Sequence, residues 1–151
     1  MAALTPLRIL AGVATVVALA CARTGLAAVA AIDDAGSAVT LPRPAQRIVS
    51  LAPHATELLF AAGAGHAVVG VVAHSDWPPA ARALPLVGDA AALDLERIVA
   101  LAPELIVAWP YTTPAQLAAL RAQRIAVFVS DPKSIAGIAD DVEKLGALAG
   151  T

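Results

Sequence analysis

Polar and aromatic side chains follow successive predicted strands of this chain. They are Pro53, His54, His74, Trp77, Asp89, Trp109 and Tyr111. The carboxyl ends of parallel strands meet at one edge of an α/β sheet, which is where such sheets bind ligands. Imidazole, carboxylate, indole and phenol groups can hydrogen-bond to a ligand or stack on it, but these residues provide no set of nucleophile, base and acid. The sequence therefore predicts a binding site rather than a catalytic centre.

Motifs for other chemistry are absent from the sequence. No Gly-x-Gly-x-x-Gly or P-loop pattern supports nucleotide binding, and no Gly-x-Ser-x-Gly elbow indicates a hydrolase. The three histidines, His54, His66 and His74, lack the paired spacing of a zinc site. We therefore predict neither a metal nor a cofactor. A flavodoxin-like or hydrolytic enzyme that uses His54 or His74 is the alternative from another functional class.

The first 30 residues have the pattern of a secretory signal peptide. Arg8 precedes an apolar run at residues 9–20, and Ala28-Val29-Ala30 is a small-x-small cleavage site. We expect residues 31–151 to be the mature domain, in which 8 basic and 12 acidic residues do not make the basic footprint of a nucleic-acid-binding protein. Processing at Cys21, which would give a lipoprotein, is the alternative.

Residues 93–109 combine a helix, a buried strand and an aromatic end. Leu95, Ile98, Val99 and Ala102 have the spacing of one helical face, and Asp94 is a suitable N-cap. Pro103 disfavours helix at the residue before it. The apolar run at residues 105–108 does not alternate, which indicates a strand buried on both faces.

The rest of the chain repeats this alternation of strand and helix. We predict a hairpin at residues 32–41, strands at 47–51, 67–72 and 125–129, and helices at 56–62 and after Thr113 and Ser134. On the last helix, Asp140 and Asp141 are expected on a solvated face. The predicted fold class is α/β, a parallel sheet with flanking helices and a short N-terminal hairpin.

Four segments resemble the class III periplasmic substrate-binding proteins of ABC importers, above all their cobalamin-binding branch. They are RIVSLAPHATELLFAAG (47–63), VVGVVAHSDWPPAARALPLVGD (68–89), LDLERIVALAPELIVAW (93–109) and ADDVEKLGAL (139–148). The resemblance implies two α/β lobes joined by a bridging helix, with the ligand clamped between them. Residues 31–151 are then expected to be the N-terminal lobe alone, without the bridging helix and the C-terminal lobe.

The resemblance also implies roles for single residues. His74 stands where the cobalamin proteins often have a tyrosine that touches the corrin, and Ala90 stands where a stacking tryptophan can occur. Asp89 lies near the position of an axial tyrosine in haem relatives, which weakens a haem assignment. Glu96 matches a glutamate that faces arginines of the membrane permease.

The implied function is capture of cobalamin in the periplasm and its delivery to an ABC permease and its ATPase. Haem or an iron-siderophore on the same fold is the alternative ligand. A lobe without binding activity of its own is a further alternative.

Overall fold

The computed structural model describes residues 27–89 and 92–151. A hairpin is followed by alternating strands and helices, with two short 3-10 turns at Ala64–Ala67 and Pro79–Ala83. The elements are β1 Val29–Ile32, β2 Ala38–Leu41, β3 Ile48–Ser50, α1 Pro53–Ala61, β4 Val68–Val71, α2 Leu95–Ala100, β5 Leu105–Ala108, α3 Pro114–Ala122, β6 Ala126–Val129 and α4 Ile135–Ala149. The four strands of the main sheet lie within two residues of their expected bounds.

The main sheet has the strand order β4-β3-β5-β6, and its strands are parallel. Both of its faces are covered. Leu105 and Val107 of β5 belong to the apolar cluster that includes α1 and α4, whereas Ile106 and Ala108 pack into the cluster that includes residues of α2 and α3. This confirms a strand buried on both sides, and it confirms the predicted fold class.

Helix α2 is shorter than the sequence predicts. Asp94 is its N-cap and accepts a hydrogen bond from Arg97 N, but the helix ends at Ala100, and Ala102 has a φ of 46°. Val99, expected on the buried face, is 41% exposed. Leu101 packs inward instead, so close to Gly70 that a Cβ there would lie 2.6 Å from its Cδ1. The expected helical face is therefore wrong at its last two positions, because the turn before Pro103 changes the direction of the chain.

On helix α4, a second prediction from the sequence is wrong at one residue. Ser134 caps it as expected and accepts from Gly137 N, and Asp140 is exposed. Asp141, expected on the same solvated face, is fully buried and accepts a hydrogen bond from Ser130 Oγ over 2.5 Å. One helical position separates the two carboxylates by about 100° around the axis, which turns the second toward the end of β6.

Asp141 belongs to a polar cluster that joins α4 to the end of β6 and to the β1–β2 turn. We call it the hairpin cluster; its members are Asp33, Asp34, Ser130, Asp141 and Lys144. Lys144 Nζ lies 3.5 Å from Asp34 Oδ1 and 3.9 Å from Asp141 Oδ1. Burial raises the pKa of Asp141 to about 6, although the Ser130 hydrogen bond opposes this effect.

The hairpin overlaps the predicted signal peptide. Strand β1 begins at Val29, and Val29 and Ala30 pair with Leu41 and Thr40 of β2, whereas the predicted cleavage follows Ala30. Most of the predicted leader, including Cys21, lies outside the described residues. Within residues 27–89 and 92–151, no helix has both the length and the apolar character that a membrane span requires.

Candidate functional site

The strand order of the main sheet indicates where a ligand would bind. The chain runs from β3 outward to β4, then returns to the other side of β3 to form β5. In open α/β sheets, ligands bind beyond the carboxyl ends of the strands at such a reversal. Pro53 and His54 follow β3 here, and Trp109 and Tyr111 follow β5, so four of the seven residues that the sequence selects stand after these two strands.

The rings of His54, Trp109 and Tyr111, which we call the aromatic rim, form a continuous series. The His54 and Trp109 ring centroids are 5.8 Å apart, and those of Trp109 and Tyr111 are 4.6 Å apart, both at tilted angles. These separations are typical of favourable aromatic pairs. Tyr111 is 75% exposed, so much of the rim is open to a partner.

The rim borders a groove of about 470 Å³. Its wall consists of His54, Glu57, Leu58, Trp109, Pro110, Tyr111, Asp131, Pro132, Lys133 and Ile138. This volume lies within the usual range for a small-molecule site, about 300–1,000 Å³. The groove is thus large enough for part of a sizeable ligand.

Local hydrogen bonds hold the loop and helix that carry His54. Pro53 occupies the first turn of α1, where its missing N–H costs nothing. Thr56 Oγ1 contacts Ser50 Oγ at 2.9 Å and Ser75 Oγ at 3.1 Å, and all three hydroxyls are buried. This network ties α1 to the end of β3 and to the loop after β4.

A tight turn orients the other two rings. Thr112 N donates to Trp109 O over 3.0 Å, which closes the turn that contains Pro110 and Tyr111. Helix α3 starts directly afterwards with a capping box, in which Gln116 N donates to Thr113 Oγ1 and Thr113 N donates to Gln116 Oε1. The helix start therefore limits how far Trp109 and Tyr111 can move.

His54 has an unsatisfied polar atom. Its Nε2 is buried and has no hydrogen-bond partner among the described residues. Buried polar groups without partners are rare in folded proteins and call for a specific explanation. Asp141 Oδ1, in the hairpin cluster, is the other side-chain atom in this state among the described residues.

Sequence reasoning missed three charged residues in the groove. Glu57 lies one helical turn after His54, and Asp131 and Lys133 follow β6. The rule that selected the other candidates, position just after a strand, also applies to Asp131. Lys133 Nζ lies 2.5 Å from Asp131 Oδ1, and this hydrogen bond raises the pKa of Lys133.

Trp77 lies in a second groove, of about 440 Å³, between α1 and α4. The two grooves share Glu57, Leu58 and Ile138, so they are neighbours on one surface. Trp77 is 62% exposed. It is therefore available beside the aromatic rim without being part of it.

His74 and Asp89 line neither groove. His74 is exposed, with a φ of 67°, a conformation in which histidine is tolerated better than most residues. Asp89 Oδ1 accepts from Ala92 N over 2.8 Å, so this carboxylate helps to close its own loop. Ala90 lies outside the described residues.

Glu96 stands away from the groove, in the first turn of α2. The residue is exposed, and no ion pair with it is found in the part of the chain that the structure describes. Its side chain is thus available on the surface, as a docking residue requires.

Among residues 27–89 and 92–151, no group of three or more His, Cys, Asp or Glu side chains is arranged to hold a metal ion. The site is therefore built from aromatic rings, one imidazole and a few charges.

Comparison with known proteins identifies the family. The family model described as periplasmic binding protein matches residues 48–151. The chain belongs to this family. The periplasmic binding protein family is one of binding proteins, not of enzymes.

Its relatives include vitamin B12-binding proteins. The one from Vibrio cholerae is 44% identical over 110 residues, which are 72% of this chain and 40% of that protein. The one from Yersinia pestis is 45% identical over 111 residues, with the same coverage. The chain thus spans about two fifths of the length of these relatives.

Solved structures agree with this assignment. The periplasmic vitamin B12 binding protein BtuF of Vibrio cholerae has a TM-score of 0.67 at 43% identity, over 70% of this chain and 42% of that one. A periplasmic heme binding protein from Pseudomonas aeruginosa has a TM-score of 0.64 at 28% identity, over 70% of this chain and 39% of that one. The periplasmic binding protein fold is therefore shared with proteins named for two different tetrapyrrole ligands.

Proposed function

We propose that this chain forms one lobe of an ABC importer's substrate-binding protein and captures a corrinoid without chemical change. The observation that carries the proposal is the aromatic rim, which stands at the sheet reversal beside an open groove. A corrin is a broad, nearly flat macrocycle with amide side chains. Tilted aromatic rings suit its apolar faces.

Two observations favour a corrinoid over haem or an iron-siderophore. The relatives named for vitamin B12 are 42–45% identical, whereas the neighbours named for heme are 24–28% identical. In addition, Asp89 is held in its own loop by Ala92 N, which leaves it a poor axial ligand for haem iron.

The proposed site has one wall in this lobe. Small-molecule sites commonly bury about 70–90% of the ligand, and a single open groove covers only one side of a corrin. Each loss of about 1.4 kcal/mol weakens binding tenfold. We therefore expect this chain to bind a corrinoid with a dissociation constant in the high micromolar range or weaker.

A titration followed by NMR tests this proposal. Cyanocobalamin is added to the ¹⁵N-labelled chain, and the two indole N–H signals, from Trp77 and Trp109, report on the two grooves. We expect both signals to shift, with the larger change at Trp109. Trp109→Ala should remove the fast-exchange shifts at neighbouring amides, whereas Leu86→Ala, an exposed apolar residue away from both grooves, should leave them unchanged.

The same titration separates the alternatives. Stronger shifts with haem or a ferric siderophore than with cyanocobalamin would assign another ligand to the groove. Unchanged spectra with all three compounds would indicate a lobe that does not bind by itself.

We also propose that Glu96 is a docking residue for arginines of the membrane permease. Its support is its exposure in the first turn of α2 and its lack of an ion-pair partner in the described chain. Carboxylate and guanidinium groups form strong paired hydrogen bonds. Glu96→Arg in a full-length two-lobed version should reduce corrinoid import and leave ligand affinity unchanged, while the matched change Glu143→Arg on α4 should leave both unchanged.

The proposed place of action is the periplasm, which the chain reaches by means of an N-terminal leader. An apolar run after Arg8 and several small residues before Val29 support this proposal.

A further inference from the structure

Strand β1 contributes directly to the folded domain. All four of its residues pair with β2, in the register Val29 with Leu41 through Ile32 with Ala38. Val29 and Ala31 are half-buried and pack against the main apolar cluster, whereas Ala30 and Ile32 face solvent. This alternation is typical of an antiparallel strand that has one face on a core and the other face in solvent.

The turn after β1 then attaches the hairpin to the main sheet. Asp34 N donates to Val129 O over 3.0 Å, and Val129 N donates to Asp33 Oδ2 over 3.2 Å. Asp131 N donates to Asp34 Oδ2 over 2.6 Å. The hairpin is thus fixed to the end of β6, and its strand β1 is also in contact with α4.

Cleavage after Ala30 would cut this strand in half. It would remove the pairs of Val29 with Leu41 and of Ala30 with Thr40. It would also place a new α-ammonium group on half-buried Ala31, and this group is largely charged at neutral pH because its pKa is about 7.7–8.0. A charge at an apolar contact carries a desolvation cost.

We propose that the signal peptidase cuts before Val29, so that the exported chain keeps all four residues of β1. This inference rests on the export proposed above. The leader offers small-x-small sequences at Ala18-Leu19-Ala20, Ala20-Cys21-Ala22 and Gly25-Leu26-Ala27, and cleavage after each leaves β1 whole. Water hydrolyses one peptide bond, which leaves a carboxylate on the leader and an ammonium group on the exported chain.

Expression of residues 1–151 in a Gram-negative host tests this proposal. The product is pulse-labelled, isolated and measured by intact mass, so that the first N-terminus is seen before any trimming. The expected first residue lies between Cys21 and Val29. A first residue of Ala31 would overturn this inference and leave export intact, whereas a chain that keeps its whole leader would overturn both.

A pair of variants tests the position of the cleavage site independently. Ala30→Glu places a large charged side chain at the last residue of the Ala28-Val29-Ala30 motif, at a strand position that faces solvent. Thr40→Glu places the same charge on the paired, exposed residue of β2. We expect both variants to be processed at the wild-type rate, and a loss of tenfold or more in Ala30→Glu alone would overturn the inference.

Discussion

The hairpin cluster and the aromatic rim lie at the same end of the sheet, but they differ in how many of their polar groups are hydrogen-bonded within the protein. The boundary between the two regions lies between two adjacent residues after β6, Ser130 and Asp131. Ser130 donates to buried Asp141, whereas the Asp131 side chain pairs with Lys133 beside the groove. In the cluster, side-chain oxygens accept hydrogen bonds from Ser37 N, Val129 N and Asp131 N.

The rim has few such internal partners. His54 Nε2 is unsatisfied within the described chain, and Tyr111 is mostly exposed. A polar group whose hydrogen bonds are all made within the protein stabilises the fold but has no free donor or acceptor for a ligand. A buried polar group without a hydrogen-bond partner costs free energy until a partner binds it. Asp141 Oδ1 is the exception in the cluster, because it is buried without a hydrogen-bond partner in the described chain. The other contacts indicate that the cluster serves folding and the rim serves binding. Three substitutions test this difference, and a fourth tests the proposed docking residue.

The largest effect is expected at Asp33. Its carboxylate accepts from Ser37 N over 2.7 Å and from Val129 N over 3.2 Å, and the residue is buried. Asp33→Ala leaves both donors without this acceptor, so the free energy of unfolding should fall by about 3 kcal/mol. Urea denaturation followed by circular dichroism measures it. Asp76→Ala, at an exposed residue, is the control and should change the value by less than about 0.5 kcal/mol.

Asp141 should show a pH-dependent effect. Its pKa is raised from 3.8 to about 6 in the folded state, so its ionisation destabilises the fold as the pH rises through this interval, and the cost is complete above about pH 7. Asp141→Asn keeps an acceptor for Ser130 and removes the charge. The variant should be more stable than wild type by about 2–3 kcal/mol at pH 8, with nearly all of the gain lost at pH 4.

The neighbouring carboxylate provides the control for this change. Asp140→Asn removes the same charge from an exposed position that pairs with Lys144, and exposed ion pairs contribute about 0–1 kcal/mol. Its effect should therefore be a small loss at pH 8. An equal gain for Asp141→Asn at both pH values would contradict the assignment of the shift to this residue.

His54→Leu should separate folding from binding at the rim. The change removes the unsatisfied Nε2 and keeps an apolar side chain against Trp109, so the free energy of unfolding should rise by about 1 kcal/mol. The NMR shifts caused by cyanocobalamin should decrease at the same time. His66→Leu, at an exposed histidine of the Ala64–Ala67 turn, should do neither, and a loss of stability in His54→Leu would show that the imidazole serves the fold.

The smallest effect on stability is expected at Glu96. Substitution of an exposed side chain without an ion-pair partner usually changes the free energy of unfolding by less than about 0.5 kcal/mol. Glu96→Arg should therefore unfold at the wild-type urea midpoint. A loss above about 1 kcal/mol would assign Glu96 to the fold rather than to docking.

Much of the fold was predictable because local rules act on local sequence. The caps at Asp94, Thr113 and Ser134 depend on hydrogen bonds to residues three positions later. The strand at Leu105–Ala108 was evident from four consecutive apolar residues. The errors at Val99 and Asp141 arose where long-range packing decides which helical face is buried, since Leu101 packs near Gly70 and Ser130 reaches Asp141.

The candidate site, like the fold, was predictable from the sequence only in part. The rule of strand ends selected His54, Trp109 and Tyr111, which the structure brings together. It could not separate them from His74 and Asp89, because distance from the groove depends on strand order. Glu57 and Lys133 were missed because their place in the wall depends on how α1 and the β6 loop pack.

The sequence by itself determined the parallel α/β class, the helix starts and the list of residues after the strands, because caps, apolar runs and prolines act over a few residues. Only the tertiary structure decided that the β3–β5 reversal joins His54 to Trp109, that Asp141 is buried, and that β1 extends back to Val29. Each of these depends on contacts between segments that are distant in the chain, and packing selects such contacts from many that the local sequence allows.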